Sequence, residues 1–546
     1  KTVVCHLKKI KLKNFKGFKL ISLEVHNHKI LGTNTFNFIQ EDDRNDFIYT
    51  TILIGPNGTG KSEVLKLIIN IFRNLSLLKN GQKEKNLGCQ FKLKFLNNHE
   101  FTLSNYISVD DKVLIPLNFK KEYTLRRYNE QIDIIKSYNS DVEYIIPNIT
   151  ASSFMLSDKF FIPITDDDRI YFKDYNYLGL KSNRQSGSTQ RLLRRTVDHI
   201  VDNKNPEIFQ KSISKIGEFL GLDAEGIEVT YKTKYTKNFW NGKLTPSDLE
   251  EYFHKITVQY EEMQGKEPPF KLRNYRSLKV KGNKKIESLC DYMNYISTST
   301  RLINSESKRS QFKKLIFNVA KSDEHQLLSE ERKLIEYAIN LGFLETPQIN
   351  FISSSRIPID QASSGEINLF ATMIGLIATI KFGSLIIIDE PEVSLHPNWQ
   401  MKYLYFLTEL FKEFTDSHII IATHSHFLIS DLQGESGKII GLKKVNKKIE
   451  TLDINTNTFG WSAEEILLDV FDVPTTRNLF IYEKVGDILD LIALRDTKES
   501  LVEPEKIGTE ISKRINYLRN KGIDNLSKED PLKEIIEKII EKYGRS

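Results

Sequence analysis

Short apolar, β-branched runs alternate along this chain with longer segments in which apolar residues recur every three or four positions. Residues 50–54, TTILI, predict a buried strand. A glycine-rich octet follows at once, and Val64, Leu67, Ile68, Ile71 and Leu75 then recur at helical spacing. The same rhythm returns late in the chain. Residues 367–380 form a long apolar helix, and the runs at 385–388 and 418–422 predict two more buried strands. A strand at 149–155 completes the set. Residues 89–105 alternate apolar and polar positions around Asn97-Asn98, which predicts a hairpin. From about 178 to 344 the pattern is mostly helical, with a breaker region at 233–243. Residues 458–546 are helical again. Asp530-Pro531 caps a last helix whose Leu532, Ile535, Ile536, Ile539, Ile540 and Tyr543 form one apolar stripe. Ile511, Ile515 and Leu518 form a similar stripe upstream. Such a stripe either docks a partner or packs on its own domain.

Composition narrows the class. With 546 residues, 40% hydrophobic and 27% charged, the chain is a globular protein of two or three domains. No apolar run approaches the roughly 18–20 residues that cross a bilayer. The opening KTVVCHLKKIKLKNF alternates charge with apolar residues, unlike a secretory signal, so a cytoplasmic location is expected. Cys5, Cys89 and Cys290 are far apart and form no CxxC, which supports neither a zinc site nor a disulfide framework. The net charge of +6 is compatible with a nucleic-acid partner without requiring one.

The octet GPNGTGKS spans Gly55, Pro56, Asn57, Gly58, Thr59, Gly60, Lys61 and Ser62. Its glycines keep side chains away, so backbone N–H groups can wrap a phosphate chain at a helix N-terminus. Lys61 is placed to reach the β- and γ-phosphates, and Ser62 to ligate Mg²⁺. A chance glycine-rich turn is the alternative, but the strand–loop–helix context argues against it. The strand at 385–388 ends in Asp389-Glu390, where α/β sheets place ligands. Asp389 is expected to hold the metal and Glu390 to polarise an attacking water. His424 closes the next strand and can sense a γ-phosphate; a satisfied structural histidine is the less favoured alternative. Ser363 and Gly365 precede the helix from 367 and offer a second anion cradle. Alone, ASSGE is a common cap pattern. Two cradles for one nucleotide suggest that the second serves a partner chain.

In this order the motifs resemble those of ABC-type ATPases, in which ATP lies between the P-loop of one protomer and the signature of the other. The resemblance implies ATP and Mg²⁺ as cofactors, a homodimer with composite sites, and Ser363 and Gly365 as signature residues. Ser394-Leu395-His396 stand at the D-loop, where the family usually has Asp at the position of His396. The implied fold is an α/β P-loop NTPase head, a mixed β-sheet flanked by helices. It is split by a mainly helical insertion and followed by a helical C-terminal appendage. The P-loop ends at Ser62 and the signature begins at Ala362, a gap far longer than in transporter ATPases. With KKIKLKNFKGF at 8–18, this is similar to the SMC, Rad50 and RecF class, although no sustained heptad repeat fills the gap.

DEPEVSLHP (389–397), SSFMLSDKF (152–160), YNYLGLKS (175–182) and TFGWSAEEILLDVF…TTRN (458–478) are similar to the PtuA-type ATPases of Septu and retron defence systems. That resemblance implies an antiphage switch ATPase that restrains a separate HNH-type nuclease; in retron versions a reverse transcriptase and its small DNA join. No HNH pattern is visible in this chain. The alternatives are a housekeeping RecF-like DNA-repair ATPase and an OLD-type ATPase-nuclease, whose Toprim opening LFIYEKVGD at 479–487 resembles only faintly.

The expected organisation is 1–177 as the first part of the head, 178–345 as the insertion, 346–456 as the second part, and 457–546 as the appendage. No glutamine is assigned as a metal ligand; Gln90 lies on a different predicted strand. Two basic stretches, 184–195 and 271–285, have the charges that contact phosphates, and the second adds Tyr275 for stacking. A solvated charged face is the plainer reading of both, and the N-terminal lysines could contact phosphate themselves.

Overall fold

Seven strands build the sheet that carries the P-loop. Their spatial order is Tyr175–Tyr177, Ile149–Ser153, Leu385–Asp389, His418–Thr423, Tyr49–Ile54, Gly437–Val445 and Lys448–Ile454. Six run parallel and the last is antiparallel. The central strands are near-continuous apolar runs because both faces are covered, as parallel sheets require. A computed structural model describes residues 17–543 except 41–47, 98, 110–112, 117–123, 128–129, 134–145, 156–157, 164, 180–188, 204–205, 223, 235–238, 263–267, 305–311, 354–355, 430–431, 433–436, 455–463, 467–477, 497–503, 524–525 and 527–529. The chain divides into two compact units, Lys1–Gly460 and Trp461–Ser546.

Helix Lys61–Lys79 follows the P-loop and lies between two sheets. One is the core sheet, through Leu53, Leu385, Ile387, Ile420 and Ala422. The other is a six-stranded antiparallel sheet that includes Phe18–His28 and the expected hairpin, Gln90–Asn97 with His99–Ser104. Phe72 meets Phe18 and Phe95 edge-on, with centroids 6.0 and 5.3 Å away. Truncating such a buried ring costs about 3–5 kcal/mol.

His418 ties the two sheets together. Its Nδ1 accepts the Leu20 N–H at 3.0 Å, and its Nε2 lies 2.8 Å from the Thr51 hydroxyl. That hydroxyl donates to the Phe38 carbonyl at 2.6 Å, so the ring is neutral and Nε2 is the donor. Burial, helped by Lys19, lowers its pKa to about 3.

The insertion is less purely helical than its pattern suggests. Helices such as Thr189–Asp202, Phe270–Val280 and Ser322–Leu341 accompany a five-stranded antiparallel sheet. Its order is Leu302–Asn304, Lys313–Asn318, Gly226–Lys232, Gln348–Ile352 and Arg356–Pro358. Helix Thr189–Asp202 packs along helix Ser364–Thr379. Gly375 allows that approach, since a Cβ there would stand 2.9 Å from Leu178 and 3.4 Å from His199.

The second unit contains helices Leu479–Asp496, Pro504–Asn520 and Pro531–Tyr543. Ile511, Ile515, Leu518, Ile536 and Ile539 bury together with Val485 and Ile488. The two stripes therefore face each other within the unit. Asp530 caps the last helix, accepting the Leu532 N–H at 2.9 Å. The segment 479–487 is helical, which removes the strand a Toprim opening needs. Among the described residues no helix is long and apolar enough to cross a membrane.

Candidate functional site

Three adjacent parallel strands end on one edge of the core sheet. Ile54 pairs with Thr423, and Ala422 with Asp389. Gly55, His424 and the Asp389-Glu390 pair therefore emerge side by side, at the carboxyl edge where such sheets bind ligands.

The P-loop is shaped by two close approaches. At Gly55 (φ +153°) a Cβ would stand 2.2 Å from the Leu442 carbonyl oxygen. At Gly60 (φ +89°) it would meet Leu31 at 2.7 Å. Gly60 opens helix Lys61–Lys79 with no side-chain cap, which leaves its N-terminus suited to an anion. Lys61 is buried and folds back, donating to the carbonyls of Gly55 at 2.7 Å and Pro56 at 3.2 Å. Burial lowers its pKa despite the pull of Glu390, Glu392 and Asp389. A phosphate chain would give this ammonium better acceptors than two neutral carbonyls.

The Ser62 hydroxyl donates to Asp389 Oδ1 at 2.9 Å. Burial raises the Asp389 pKa to about 7, with Glu390 and Glu392 adding repulsion while Ser62 and Lys61 oppose it. The Ser62 hydroxyl and the Asp389 carboxylate are hard oxygen donors side by side, the chemistry a hard cation takes. Among the described residues no three His, Cys, Asp or Glu side chains form a protein-only metal cage.

Glu390 is a non-glycine residue in the left-handed region (φ +50°, ψ +57°), a strained conformation. Its N–H donates to the Ala422 carbonyl at 2.8 Å, which locks the turn to the neighbouring strand. Its Oε1 lies 3.7 Å from His424 Nδ1.

Glu392 was missed in the sequence. Its side chain is 5% exposed, and Oε1 accepts the His424 N–H at 2.6 Å and lies 3.1 Å from His424 Nδ1. Its Oε2 is buried with no hydrogen-bond partner among the described residues, as is the Tyr403 hydroxyl. Burial, reinforced by the Glu392 charge, pushes the Tyr403 pKa well up. The available signal was a third acid within four residues of a buried strand's end. Gln400 donates to the Glu392 and Leu395 carbonyls and accepts the Ser425 hydroxyl at 2.6 Å.

The structure thus brings together residues 55–62, Asp389, Glu390 and His424. Ser363 and Gly365 share no hydrogen bond with these residues among the described ones. Ser363 caps helix Ser364–Thr379 in a reciprocal box with Glu366, at 2.6 and 3.3 Å. His396 is an N-cap whose Nδ1 accepts the Asn398 N–H at 3.3 Å. His426 lies against Phe427. Gln90 sits on the antiparallel sheet, where it accepts from Asn27. The N-terminal lysines at 8–16 and most of the 458–478 tail motif lie outside the described residues.

Two expectations for the basic stretches need correction. Tyr275 is buried and stacks on Phe253 with centroids 4.1 Å apart, so it belongs to the core. Arg195 spends its guanidinium on the carbonyls of Leu178 and Gly179, both at 2.9 Å.

A family model described as an AAA ATPase domain matches residues 6–429. The Septu protein PtuA of Bacillus thuringiensis is 26% identical over 150 residues, 25% of this chain and 37% of that protein. The match thus spans little more than a third of that relative's length. A retron Vc95 probable ATPase of Vibrio cholerae serotype O1 biovar El Tor is 20% identical over 478 residues, 83% of this chain and 79% of that protein. Among solved structures, the SMC head domain from Thermotoga maritima aligns with 80% of this chain and all of its own, at 12% identity and a TM-score of 0.34.

Proposed function

The chain belongs to the AAA ATPase domain family, and we propose that it is the ATP-hydrolysing switch subunit of an antiphage defence complex. In this reading it closes as a homodimer around shared nucleotides and controls a separate HNH-type nuclease. The observation that carries the ATPase reading is the 2.9 Å bond from Ser62 to Asp389, beside Lys61 and Glu390. It supports a reading in which Ser62 and Asp389 share the metal and Glu390 is the base.

Lys61 exchanges the Gly55 and Pro56 carbonyls for the β- and γ-phosphates of ATP. Ser62 and Asp389 would hold Mg²⁺, which supplies charge compensation to the phosphates. Glu390 takes a proton from water as the water oxygen bonds to the γ-phosphorus. The bond to the β,γ-bridging oxygen breaks, and ADP leaves with that electron pair. His424, held by Glu392, reports whether the γ-phosphate is present.

Ser363 is exposed and Gly365 half-buried at a helix N-terminus, a surface placement that supports their serving the nucleotide of a second copy. The nuclease partner, and a reverse transcriptase with its small DNA, rest on the similarity to Septu and retron proteins. The test is the native mass of the purified complex with and without ATP. Two copies with a nuclease chain are expected when ATP is bound. A protein that stays monomeric with triphosphate and still turns over at full rate would overturn the reading.

A further inference from the structure

The two basic stretches of the insertion reach the same cavity. It has a volume of about 550 Å³ and is lined by Gln190, Arg194, Lys234, Phe270, Lys271 and Glu345 among others. That is within the usual range for small-ligand pockets, about 300–1,000 Å³. Three cations from three separate segments face one carboxylate, a balance that favours an anion.

Two of the cations are half-buried, and the third is anchored through its backbone alone. Arg194 projects from helix Thr189–Asp202, and its Nε is buried without a hydrogen-bond partner among the described residues. Glu336 and Asp198 act on it from a distance, but Asp198 is already paired with Arg332 at 2.9 Å. A guanidinium stays charged in proteins, so this buried N–H is a donor in want of an acceptor. Lys234 is anchored by its backbone N–H to the Phe343 carbonyl, while its side chain is exposed. Lys271 is steadied by the Tyr252 hydroxyl at 3.2 Å and stands 5.4 Å from that ring's centre. Helix Phe270–Val280 begins at the cavity without a side-chain cap, and Phe270 stands 61% exposed beside it. An aromatic face next to convergent cations is the chemistry that holds a base and its phosphate.

We propose that this cavity is an anion site separate from the ATP site, taking a nucleoside phosphate unit with its phosphate on Arg194, Lys234 and Lys271 and its base on Phe270. The unit comes either as a free mononucleotide or as one link of a single strand. The inference does not depend on the antiphage reading, and its test uses ligands without adenine.

The experiment titrates the full chain with fluorescein-labelled oligo(dT) and competes it with dTMP. Lys234→Glu and Phe270→Ala lie on exposed positions and are expected to keep the wild-type ATPase rate, which also reports folding. Each is expected to weaken oligo(dT) binding about tenfold. Lys234→Glu is also expected to flatten the salt dependence by about one phosphate contact. Lys234→Arg is expected to restore binding. Displacement by dTMP assigns the site to free nucleotides, and failure of dTMP to displace a Phe270-dependent oligomer assigns it to a strand. Binding that is the same in wild type and both variants, or no binding of either probe, would overturn the proposal.

Discussion

The Glu392 carboxylate accepts the backbone N–H of His424 and lies within 3.1 Å of its Nδ1. One buried acid thus fixes both the main chain and the ring of the residue proposed to read the γ-phosphate. Glu392→Ala removes both contacts. It is expected to lower kcat by about tenfold with little change in the KM for ATP, the pattern of lost positioning. Glu392→Gln keeps an acceptor for the N–H and is expected to fall between. Steady-state ATPase assays decide this, and an unchanged kcat in the alanine variant would detach His424 from turnover.

Glu390→Gln is expected to bind ATP and stall. Removing a general base at this position is expected to lower kcat by about 10²–10⁴-fold, while nucleotide affinity stays near wild type. Single-turnover hydrolysis with a parallel binding titration separates the two. A wild-type rate would reassign the base.

Lys61→Ala is expected to abolish nucleotide binding. Its ammonium is a buried cation aimed into the loop, where it donates to the Gly55 and Pro56 carbonyls. Fluorescent ATP titration reads the loss. Retained affinity would place the triphosphate elsewhere.

Acid is expected to loosen the joint between the two sheets. A histidine's ordinary pKa is near 6.5, but folding holds His418 down at about 3 and His199 at about 4, in each case chiefly by burial. Between those values the unfolded chain takes up protons that the folded chain refuses. Stability is therefore full above about pH 6.5 and declines as pH falls toward 3, by up to about 1.4 kcal/mol per pH unit for each group. Melting temperatures between pH 7.5 and 4.5 test this. His418→Asn is expected to melt lower at neutral pH, by about 1–3 kcal/mol, and to show a shallower acid slope. An identical slope would exclude His418 as a source.

What was legible in the sequence was local. The P-loop is eight consecutive residues between a strand and a helix, and Asp389-Glu390 closes an unbroken apolar run, so pattern alone locates them. Glu392 was not legible as an anchor because its direction depends on the left-handed turn at Glu390, which only the folded backbone reveals. The insertion's sheet escaped notice for another reason. Gly226–Lys232 pairs with Gln348–Ile352 across more than a hundred residues, and Leu302–Asn304 is only three residues long. No hairpin turn announces such pairings. Tyr275 misled because an aromatic among lysines and arginines looks like a surface residue, whereas its helix buries the face of Leu272, Tyr275 and Leu278.

Gln400 clasps the Ser425 hydroxyl with one end of its amide and the carbonyls of Glu392 and Leu395 with the other. The segment beyond strand His418–Thr423 and the turn after the acidic pair are therefore tied to one side chain. In the proposed cycle, a displacement of either would be carried by that one amide to the other and into helix Pro397–Leu410, to which Gln400 belongs.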